Sequence, residues 1–412
     1  MGGSPDQVYD SKALSRVARG ALCSGCGACA LVAPEAIAME QRAPGFLRPR
    51  QSAPLSRDAE ETIAAICPGL SQTVVPGQRI DDVLWGPYEN MKTGFAVDAD
   101  LRFAASSGGG LSAILLHLIE AQYVDAVVHT GADPDLPIAN VAIISLSKDQ
   151  IQTGAGSRYA PSAPLAGLGD LAGDGRRYAF VGKPCDVAAM RALVDREPQL
   201  AQQFPVLLSF FCAGVPALAG AERVLAHLGT DLDGTRAFRY RGNGWPGRAT
   251  ATLNDGTTAS MTYHESWGKI LSHHVQHRCK VCADGTGVAA DIVCADAWES
   301  DENGYPLFEE QDGISLIVAR TALGGGIVAQ AEEAGTIVTQ PFDVAQLPSI
   351  QPGQYSRRRA LLARLGGLAV LGRPIPRYRG LHLRKAARFN GLKANLKTIL
   401  GMMRRVVQGR VK

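Results

Sequence analysis

Cysteine is the residue type in this 412-residue chain whose spacing points most directly to chemistry. Cys23, Cys26 and Cys29 follow one another at three-residue steps, and Cys67, followed by a proline, lies 38 positions further on. Closely spaced thiolates with a remote Cys-Pro are the ligand pattern of a ferredoxin-like iron–sulfur site. We therefore predict that these four cysteines bind one 4Fe–4S cluster, which transfers single electrons.

A structural zinc site and a group of reduced core cysteines are the alternatives for this first group. Zinc sites prefer two separated cysteine pairs to a run of three. The N-terminal residues lack the basic segment and the apolar stretch of a secretory signal. We therefore expect a cytoplasmic location, in which the nine cysteines serve metal or redox chemistry instead of forming disulfides.

A second group of cysteines is spread along the middle of the chain. Cys279 and Cys282 form a single pair, which lacks two ligands by itself. Cys185 and Cys212 each follow a short apolar run, YAFVG and VLLSFF, that indicates a buried strand. Because the carboxyl ends of parallel strands carry ligands in α/β sheets, we predict that these four cysteines bind a second 4Fe–4S cluster. Taken singly, Cys185 and Cys212 also fit small core residues, and Cys294 in the apolar run DIVCADAW is predicted to be structural.

A glycine-rich turn precedes a strongly periodic helical pattern. Residues 92–105 are predicted to be extended, and the stretch LSAILLHLIEAQ is predicted to be a helix that leads to a strand from Val124 to His129. The turn between them consists of Ser106, Ser107, Gly108, Gly109 and Gly110. At a helix N-terminus such a turn offers free amides to a phosphate or an electron-rich ring, although serine–glycine turns are also common on surfaces. The turn lacks the G-x-G-x-x-G pattern, which argues against an ordinary nicotinamide Rossmann site.

Two further segments carry polar groups that suit the same cleft. One contains Gly156, Ser157, Arg158 and Tyr159, which combine a flexible backbone, a cation and an aromatic ring. The other, R-G-N-G-W-P-G at residues 241–247, makes a similar combination. Each segment by itself is also compatible with a simple surface turn.

Six segments in series carry a family resemblance. They are S-S-G-G-G, G-S-R-Y-A-P, F-V-G-K-P-C-D, F-F-C-A-G, Y-R-G-N-G-W-P-G and C-K-V-C-A-D-G-T-G-V-A-A-D-I. In this order they resemble the beta subunit of the hydrogenase and dehydrogenase of the deazaflavin coenzyme F-420. Relatives in this family include ferredoxin-dependent reductases of the chlorophyll pathway. The resemblance covers residues 20–320, and the last segment is the most distinctive.

The resemblance implies an α/β fold in which a ferredoxin-like iron–sulfur module precedes a non-Rossmann flavin-binding core. It implies bound FAD and a cluster on the motif cysteines. We expect Lys183 and Arg158 to be the cations near the flavin or its phosphates. Iron–sulfur clusters transfer one electron at a time, whereas reduction of an organic acceptor needs two. A flavin can accept single electrons and donate a pair, so it links the clusters to the acceptor. We therefore expect an oxidoreductase that passes electrons from ferredoxin or a similar donor through both clusters and FAD to a small organic acceptor.

Two other functions stay open. The chain fits an electron-transfer subunit whose substrate chemistry resides on a partner chain, and a non-redox scaffold with zinc is the third hypothesis. The step C-A-D at residues 294–296 stands where relatives more often carry Gly-Asp, which leaves the substrate side of the flavin undefined. His273, His274 and His277 are candidate proton donors because they adjoin the second cysteine pair.

These features divide the chain into a ferredoxin-like module, two parts of a flavin-binding domain and a basic, partly helical tail, with the bounds 15–75, 85–165, 166–343 and 344–412. The tail has sixteen Lys and Arg and no Asp or Glu, whereas residues 1–343 have 26 basic and 39 acidic residues. Residues 381–407 are predicted to form one amphipathic helix. Its apolar stripe consists of Leu383, Ala386, Phe389, Leu392, Leu396, Ile399 and Met403.

Such a basic helix has three possible positions. It can pack on the acidic body, dock on an acidic partner such as a ferredoxin, or contact an anionic membrane surface peripherally. Binding to nucleic acid is not expected, because no aromatic residues are interleaved with the charges.

Overall fold

An eight-stranded mixed sheet lies at the centre of the computed structural model, which describes residues 9–297 and 311–409. The strands of this sheet are β6 Asn90–Ala96, β7 Ala126–Ala132, β8 Asn140–Ser145, β9 Tyr178–Gly182, β10 Val206–Phe210, β14 Ile292–Asp296, β15 Ser315–Ala319 and β16 Ile337–Pro341. Their order is β16-β6-β15-β14-β10-β9-β7-β8. The four strands β14, β10, β9 and β7 are mutually parallel, and β15, β16 and β8 pair antiparallel with their neighbours. The mixed α/β architecture predicted from the sequence is confirmed.

Helices cover both faces of the central strands, which explains why β9 is buried along its whole length. Phe180 and Leu207 pack with the helix Pro184–Val194 on one face, whereas Ala179 and Leu208 pack with the helix Gly110–Glu120 on the other. The helices of the central region are α4 Ala99–Ala104, α5 Gly110–Glu120, α6 Lys148–Thr153, α7 Pro184–Val194, α8 Pro198–Gln203, α9 Leu218–His227, α10 His277–Lys280 and α11 Ala322–Glu333.

The predicted extended stretch 92–105 is only partly correct. Strand β6 ends at Ala96, and α4 then begins after Asp98, whose carboxylate accepts the amide of Leu101 and so caps the helix. Helix α5 follows the glycine-rich turn as predicted, and β7 comes next. Strands β6 and β7 run parallel but are not neighbours, because four other strands separate them in the sheet.

A small module precedes the sheet. Its elements are α1 Lys12–Arg19, α2 Ala28–Val32, β1 Ile37–Arg42, β2 Phe46–Gln51, α3 Arg57–Ile66 and β3 Ser71–Thr73. Strands β1 and β2 form an antiparallel hairpin, and Leu14, Ile37 and Ile63 form a core beneath it. Two short strands, β4 Ile80–Asp82 and β5 Gly86–Tyr88, lead from this module to the sheet.

A separate three-stranded antiparallel sheet is inserted after α9. Its strands are β11 Thr235–Arg239, β12 Arg248–Leu253 and β13 Thr258–Thr262. A π-helical segment, His264–Ile270, follows β13 and packs with α9. The insertion therefore places residues 240–247 and 263–267 beside the central sheet.

The tail consists of α12 Leu347–Ile350, α13 Pro352–Val370, β17 Arg377–Arg379, α14 Leu383–Arg388 and α15 Leu392–Val407. Leu361 and Leu365 of α13 pack against Leu22 and Val281 of the body, so the tail is anchored there. The single helix predicted for residues 381–407 is wrong. The chain breaks between α14 and α15 at Gly391, whose φ of 73° places it in the left-handed region that favours glycine.

Candidate functional site

The first cysteine site, formed by Cys23, Cys26, Cys29 and Cys67, surrounds a small cavity in the N-terminal module. The backbone turns sharply between the first three cysteines because Gly25 and Gly27 have left-handed φ values of 82° and 88°. Cys67 joins them from the end of α3. The structure thus brings the predicted ligand set together.

Burial is the main cause of the unusual acidities at this site. Burial raises the pKa of Cys26 to about 12 with smaller contributions from Asp186 and the neighbouring cysteines, and it raises the pKa of Cys67 to about 11 with a smaller contribution from Cys23. Ionising these thiols is therefore unfavourable unless a bound cation balances their negative charge. The iron of a cluster would supply that charge to its cysteine ligands. Among residues 9–297 and 311–409 no group of three or more His, Cys, Asp or Glu side chains is arranged to hold a single metal ion.

The second cysteine site is assembled from three separate parts of the fold. Cys185 lies in the first turn of α7 after β9, and Cys212 lies two residues after β10, the parallel neighbour of β9. Cys279 lies in α10, and Cys282 lies in the loop that follows this helix. The amide of Cys212 donates to the carbonyl of Gly285 at 2.9 Å, which ties that loop to the strand end.

The four cysteines lie close enough together to raise one another's pKa values. Burial is the largest cause that raises the pKa of Cys185 and of Cys212. Cys212 and Cys282 raise the pKa of Cys185 further, and Cys279 raises that of Cys212. The Cys279 sulfur accepts the amide of Val215 at 3.4 Å. The strand ends therefore meet the cysteine pair as predicted, and the cluster itself stays a prediction.

Gln276 connects the two cysteine sites. Its side chain is buried, and its Nε2 donates to the carbonyl of Ser24 at 3.4 Å and contacts the sulfur of Cys279 at 3.6 Å. Arg48 donates to the Oε1 of Gln276 at 3.1 Å and fixes the orientation of the amide. One side chain thus bridges the loop that carries Cys23 and a ligand candidate of the second site.

Arg278 lies between the same two sites. Its guanidinium donates to the carbonyl of Pro68 at 2.8 Å and to the hydroxyl of Tyr378 at 3.0 Å. The charge of Arg278 lowers the pKa of both Cys67 and Cys282, although burial keeps both values raised overall. Arg278 is therefore close to a cysteine of each site, and the two cysteine sites are neighbours.

A cavity of about 300 Å³ adjoins the second cysteine site, a size within the range of small-molecule sites. Of the ten predicted cofactor-binding residues, eight line this cavity: Ser106, Ser107, Gly109, Gly156, Ser157, Arg158, Tyr159 and Lys183. Cys212 and Cys294 also line it, so the cavity and the second cysteine site share a wall.

Gly108 and Gly110 are not part of the cavity lining and serve packing. A Cβ on Gly108 would lie 2.6 Å from the backbone nitrogen of Ser315, and the amide of Gly110 donates to the Ser315 hydroxyl at 3.1 Å. A Cβ on Gly109 would meet Arg102 Cα at 3.1 Å, and its φ of 71° is left-handed. The glycines therefore allow the start of α5 to pack against β15 and α4, with Leu111 and Ser112 facing the cavity.

Lys183 is a buried cation at the shared wall. Its Nζ lies 2.7 Å from the carboxylate of Asp186 and donates to the hydroxyl of Ser162 at 2.7 Å. Burial alone would lower its pKa, but Asp186 and the thiol of Cys185 outweigh that effect and raise the pKa of Lys183 to about 12. Lys183 therefore remains charged beside the cavity.

Arg158 lines the cavity, but its guanidinium is held by the protein. Its Nε donates to the Asn140 side chain, and its terminal nitrogens donate to the carbonyls of Pro137, Ala139 and Phe238. Arg158 therefore braces the wall between β8 and the inserted sheet.

The opposite wall contains Arg241, from the segment 241–247 that the sequence analysis assigned to this cleft, together with residues that the sequence analysis did not assign to it. Arg241 makes a bidentate ion pair with Asp296 at 2.8 and 3.0 Å, and its guanidinium lies 4.6 Å from the ring centroid of Tyr263. Trp267 packs against Tyr159 with centroids 4.8 Å apart. Asp296 had a signal, since it ends the apolar run of β14, whereas nothing in the local pattern of Tyr263 and Trp267 indicated a site.

The histidine at the cavity is also different from those predicted. His273, His274 and His277 do not line it. His129 does, and its Nε2 lies 2.7 Å from the hydroxyl of Ser145. Burial lowers the pKa of His129 to about 4, so the ring is neutral at physiological pH.

Comparison with known proteins places the fold and the motifs in one group. The N-terminal model of the coenzyme F420 hydrogenase/dehydrogenase beta subunit matches residues 91–168, and the C-terminal model of the same subunit matches residues 175–345. Together the two models cover more than half of the chain.

Individual relatives agree with these models. Coenzyme F420 hydrogenase subunit beta from Methanothermobacter thermautotrophicus is 22% identical over 279 residues, which are 65% of this chain and 88% of that protein. The chloroplastic 7-hydroxymethyl chlorophyll a reductase of Oryza sativa is 21% identical over 286 residues, 68% of this chain and 59% of that protein. A chain of the F420-reducing hydrogenase complex from Methanosarcina barkeri shares the fold, with a TM-score of 0.53 at 18% identity over 69% of this chain and 95% of that one. The chain belongs to the coenzyme F420 hydrogenase/dehydrogenase beta subunit family.

Proposed function

We propose that this protein is a flavin- and iron–sulfur-dependent oxidoreductase that passes electrons from ferredoxin or a similar redox partner to a small organic acceptor. Membership of a family of hydrogenase and dehydrogenase subunits supports the redox role. The observation that carries the proposal is the continuity of three sites. Gln276 joins the first cysteine site to the second, and Cys212 of the second site lines the large cavity.

In this proposal the two cysteine sites each hold a 4Fe–4S cluster and the cavity holds FAD. The cysteine sites fit clusters because each gathers four buried or partly buried thiols from loops and strand ends. The cavity fits a flavin because α5 begins there after a serine–glycine turn and aromatic rings form the opposite wall. A bound flavin would supply the exchange between single electrons and electron pairs.

The chain's own residues would prepare the cavity for such a group. Lys183, whose charge is balanced by Asp186, places an ammonium group at the cavity wall as a hydrogen-bond donor. The Arg241–Asp296 pair neutralises two charges within the wall and holds Tyr263 in position. His129, Tyr159 and Tyr263 carry the polar atoms from which a proton donor to the acceptor would come.

A second function is supported by one of the comparisons. The matching solved chain comes from a hydrogenase complex, so this protein also fits an electron-transfer subunit with substrate chemistry on a partner chain. Isolated protein separates the two functions. Turnover of candidate acceptors with dithionite or reduced ferredoxin supports the enzyme, whereas reduction of the bound cofactors without turnover supports the subunit.

The decisive experiment on cofactors is an anaerobic visible spectrum combined with iron, sulfide and flavin analysis. We expect acid-released FAD at about one per chain together with iron and sulfide. Ser112→Phe, which places a ring in the cavity, should lower the FAD content and leave the iron content unchanged. Gln330→Phe on the exposed face of α11 is the control. Colourless protein with stoichiometric zinc would contradict the proposal and support the scaffold hypothesis.

A further inference from the structure

Helix α15 exposes a row of apolar side chains that the rest of the described protein does not cover. Leu392 is 90% exposed, Leu396 58%, Leu400 57% and Val407 79%. Large apolar side chains are normally exposed singly, and several in one row indicate an interaction surface. Phe389, just before this helix, is also exposed.

The opposite side of α15 is occupied by α13. Met402 is buried, and Gly367 of α13 approaches so closely that a Cβ there would lie 2.8 Å from the carbonyl oxygen of Ile399 and 2.9 Å from Met402 Cβ. This contact fixes how the helix is rotated. The exposed row is therefore a property of the folded protein and does not depend on a free tail.

Helical geometry places basic residues along one border of the row. At about 100° per residue, Leu392, Leu396, Leu400, Met403 and Val407 fall within a sector of about 80°. Lys393, Lys397 and Arg404 occupy roughly the next 40° of the helix surface. The helix thus presents three adjoining faces, one packed on α13, one apolar and exposed, and one basic.

Charge identifies the partner of this surface. Residues 344–412 contain sixteen Lys and Arg and no acidic residue, so the surface complements a negatively charged partner. A symmetric pair of chains joined through this surface would bring two such tails together, and their like charges would repel. An exposed apolar row bordered by basic residues is the pattern of a helix that lies in the interface of an anionic bilayer.

We propose that α15 binds the surface of an anionic lipid bilayer, with its apolar row in the boundary between headgroups and acyl chains and its basic residues at the phosphates. No helix among the described residues is both long enough and apolar enough to span a membrane. The contact is peripheral. It holds the redox sites at the membrane surface independently of which acceptor the cavity binds.

Flotation of the complete holoprotein with lipid vesicles tests this contact. We expect the protein to float with vesicles containing about a quarter phosphatidylglycerol, and not with phosphatidylcholine alone. Raising the salt from about 50 mM to about 500 mM should weaken flotation, because screening shortens the reach of each charge.

Matched variants distinguish the two components of the surface. Leu396→Ser/Leu400→Ser should weaken vesicle binding about tenfold by removing apolar contact. Lys393→Gln/Lys397→Gln should weaken it about thirtyfold through the lost charges. Val338→Ser is the control, since Val338 is also exposed but lies on β16. All these side chains are exposed, so the thermal midpoint should not change.

Three results would overturn the proposal. The first is no flotation with anionic vesicles at low salt. The second is flotation that the Leu396→Ser/Leu400→Ser variant retains in full. The third is self-association in the absence of lipid, seen by analytical ultracentrifugation and abolished by that same variant, which would assign the surface to a second copy of the chain.

Discussion

The first cysteine site draws three of its four members from seven consecutive residues, whereas the second gathers its members from three segments between Cys185 and Cys282. In the first site the spacing of the chain itself positions the thiols, and Gly25 and Gly27 supply the necessary turns. In the second site the register of β9 and β10 and a hydrogen bond from Cys212 to Gly285 position them. The second site therefore depends on the stability of the sheet, and the first depends mainly on local backbone geometry.

The largest expected effect is the loss of a whole cluster. Reconstituted protein should contain about eight irons and eight sulfides per chain if both sites hold 4Fe–4S clusters. Cys26→Ala and Cys282→Ala should each leave about four irons, with electron paramagnetic resonance showing that a different cluster is lost in each. Cys294→Ala is the control and should change neither count, because its thiol lies in β14 among core residues. Iron loss in the Cys294 variant would refute the ligand assignment.

A strong effect on stability is expected at the wall of the second site. Lys183→Met leaves the buried carboxylate of Asp186 without its cation, which should lower the free energy of unfolding by about 3–5 kcal/mol. Lys92→Met is the matched control, because the Lys92–Glu332 pair is partly exposed and should cost about 0–1 kcal/mol. Urea titration of both variants measures the difference. Equal losses would show that the second site does not depend on this buried pair.

The cavity beside the second site should be sensitive to acid. The folded protein holds the pKa of His129 near 4, below the value of 6.5 in the unfolded chain, so the unfolded state binds the extra proton first. The contribution of His129 to stability is fully present above pH 6.5 and is lost as the pH falls from there to about 4. The loss should be about 3 kcal/mol. In His129→Gln this part of the pH dependence should be absent, and urea titrations at several pH values measure it. An unchanged pH profile would contradict the prediction.

The smallest expected effect concerns the connection between the two sites. Gln276→Leu removes the amide beside the Cys279 sulfur and the Ser24 carbonyl, at a cost of about 1 kcal/mol in stability. Loss of a donor to sulfur should lower the reduction potential of the second cluster and leave the first nearly unchanged. Gln203→Leu, which removes a hydrogen bond to Leu171 elsewhere, is the control. A redox titration followed by electron paramagnetic resonance measures both potentials, and equal shifts in both variants would argue against a bridge.

Several sequence predictions failed for reasons that the structure makes clear. The stretch 92–105 contains a helix because Asp98 caps it, a local signal that the apolar pattern concealed. The tail pattern continued through Gly391, where the backbone turns, so two helices formed instead of one. The candidate histidines were chosen by closeness in sequence to the cysteine pair, whereas the cavity takes His129 from β7.

The sequence alone determined the family, the first cysteine site, the strands before Cys185 and Cys212, and the glycine turn before α5. These features are encoded by residues near one another, whose spacing restricts the backbone directly. Only the tertiary structure decided that Gln276 bridges the cysteine sites, that Arg241 pairs with Asp296, and that α15 leaves its apolar row exposed. The Gln276–Ser24 and Arg241–Asp296 contacts and the packing of α15 on α13 join segments tens to hundreds of residues apart. Strand order and helix packing bring these segments together in a way that local patterns do not specify.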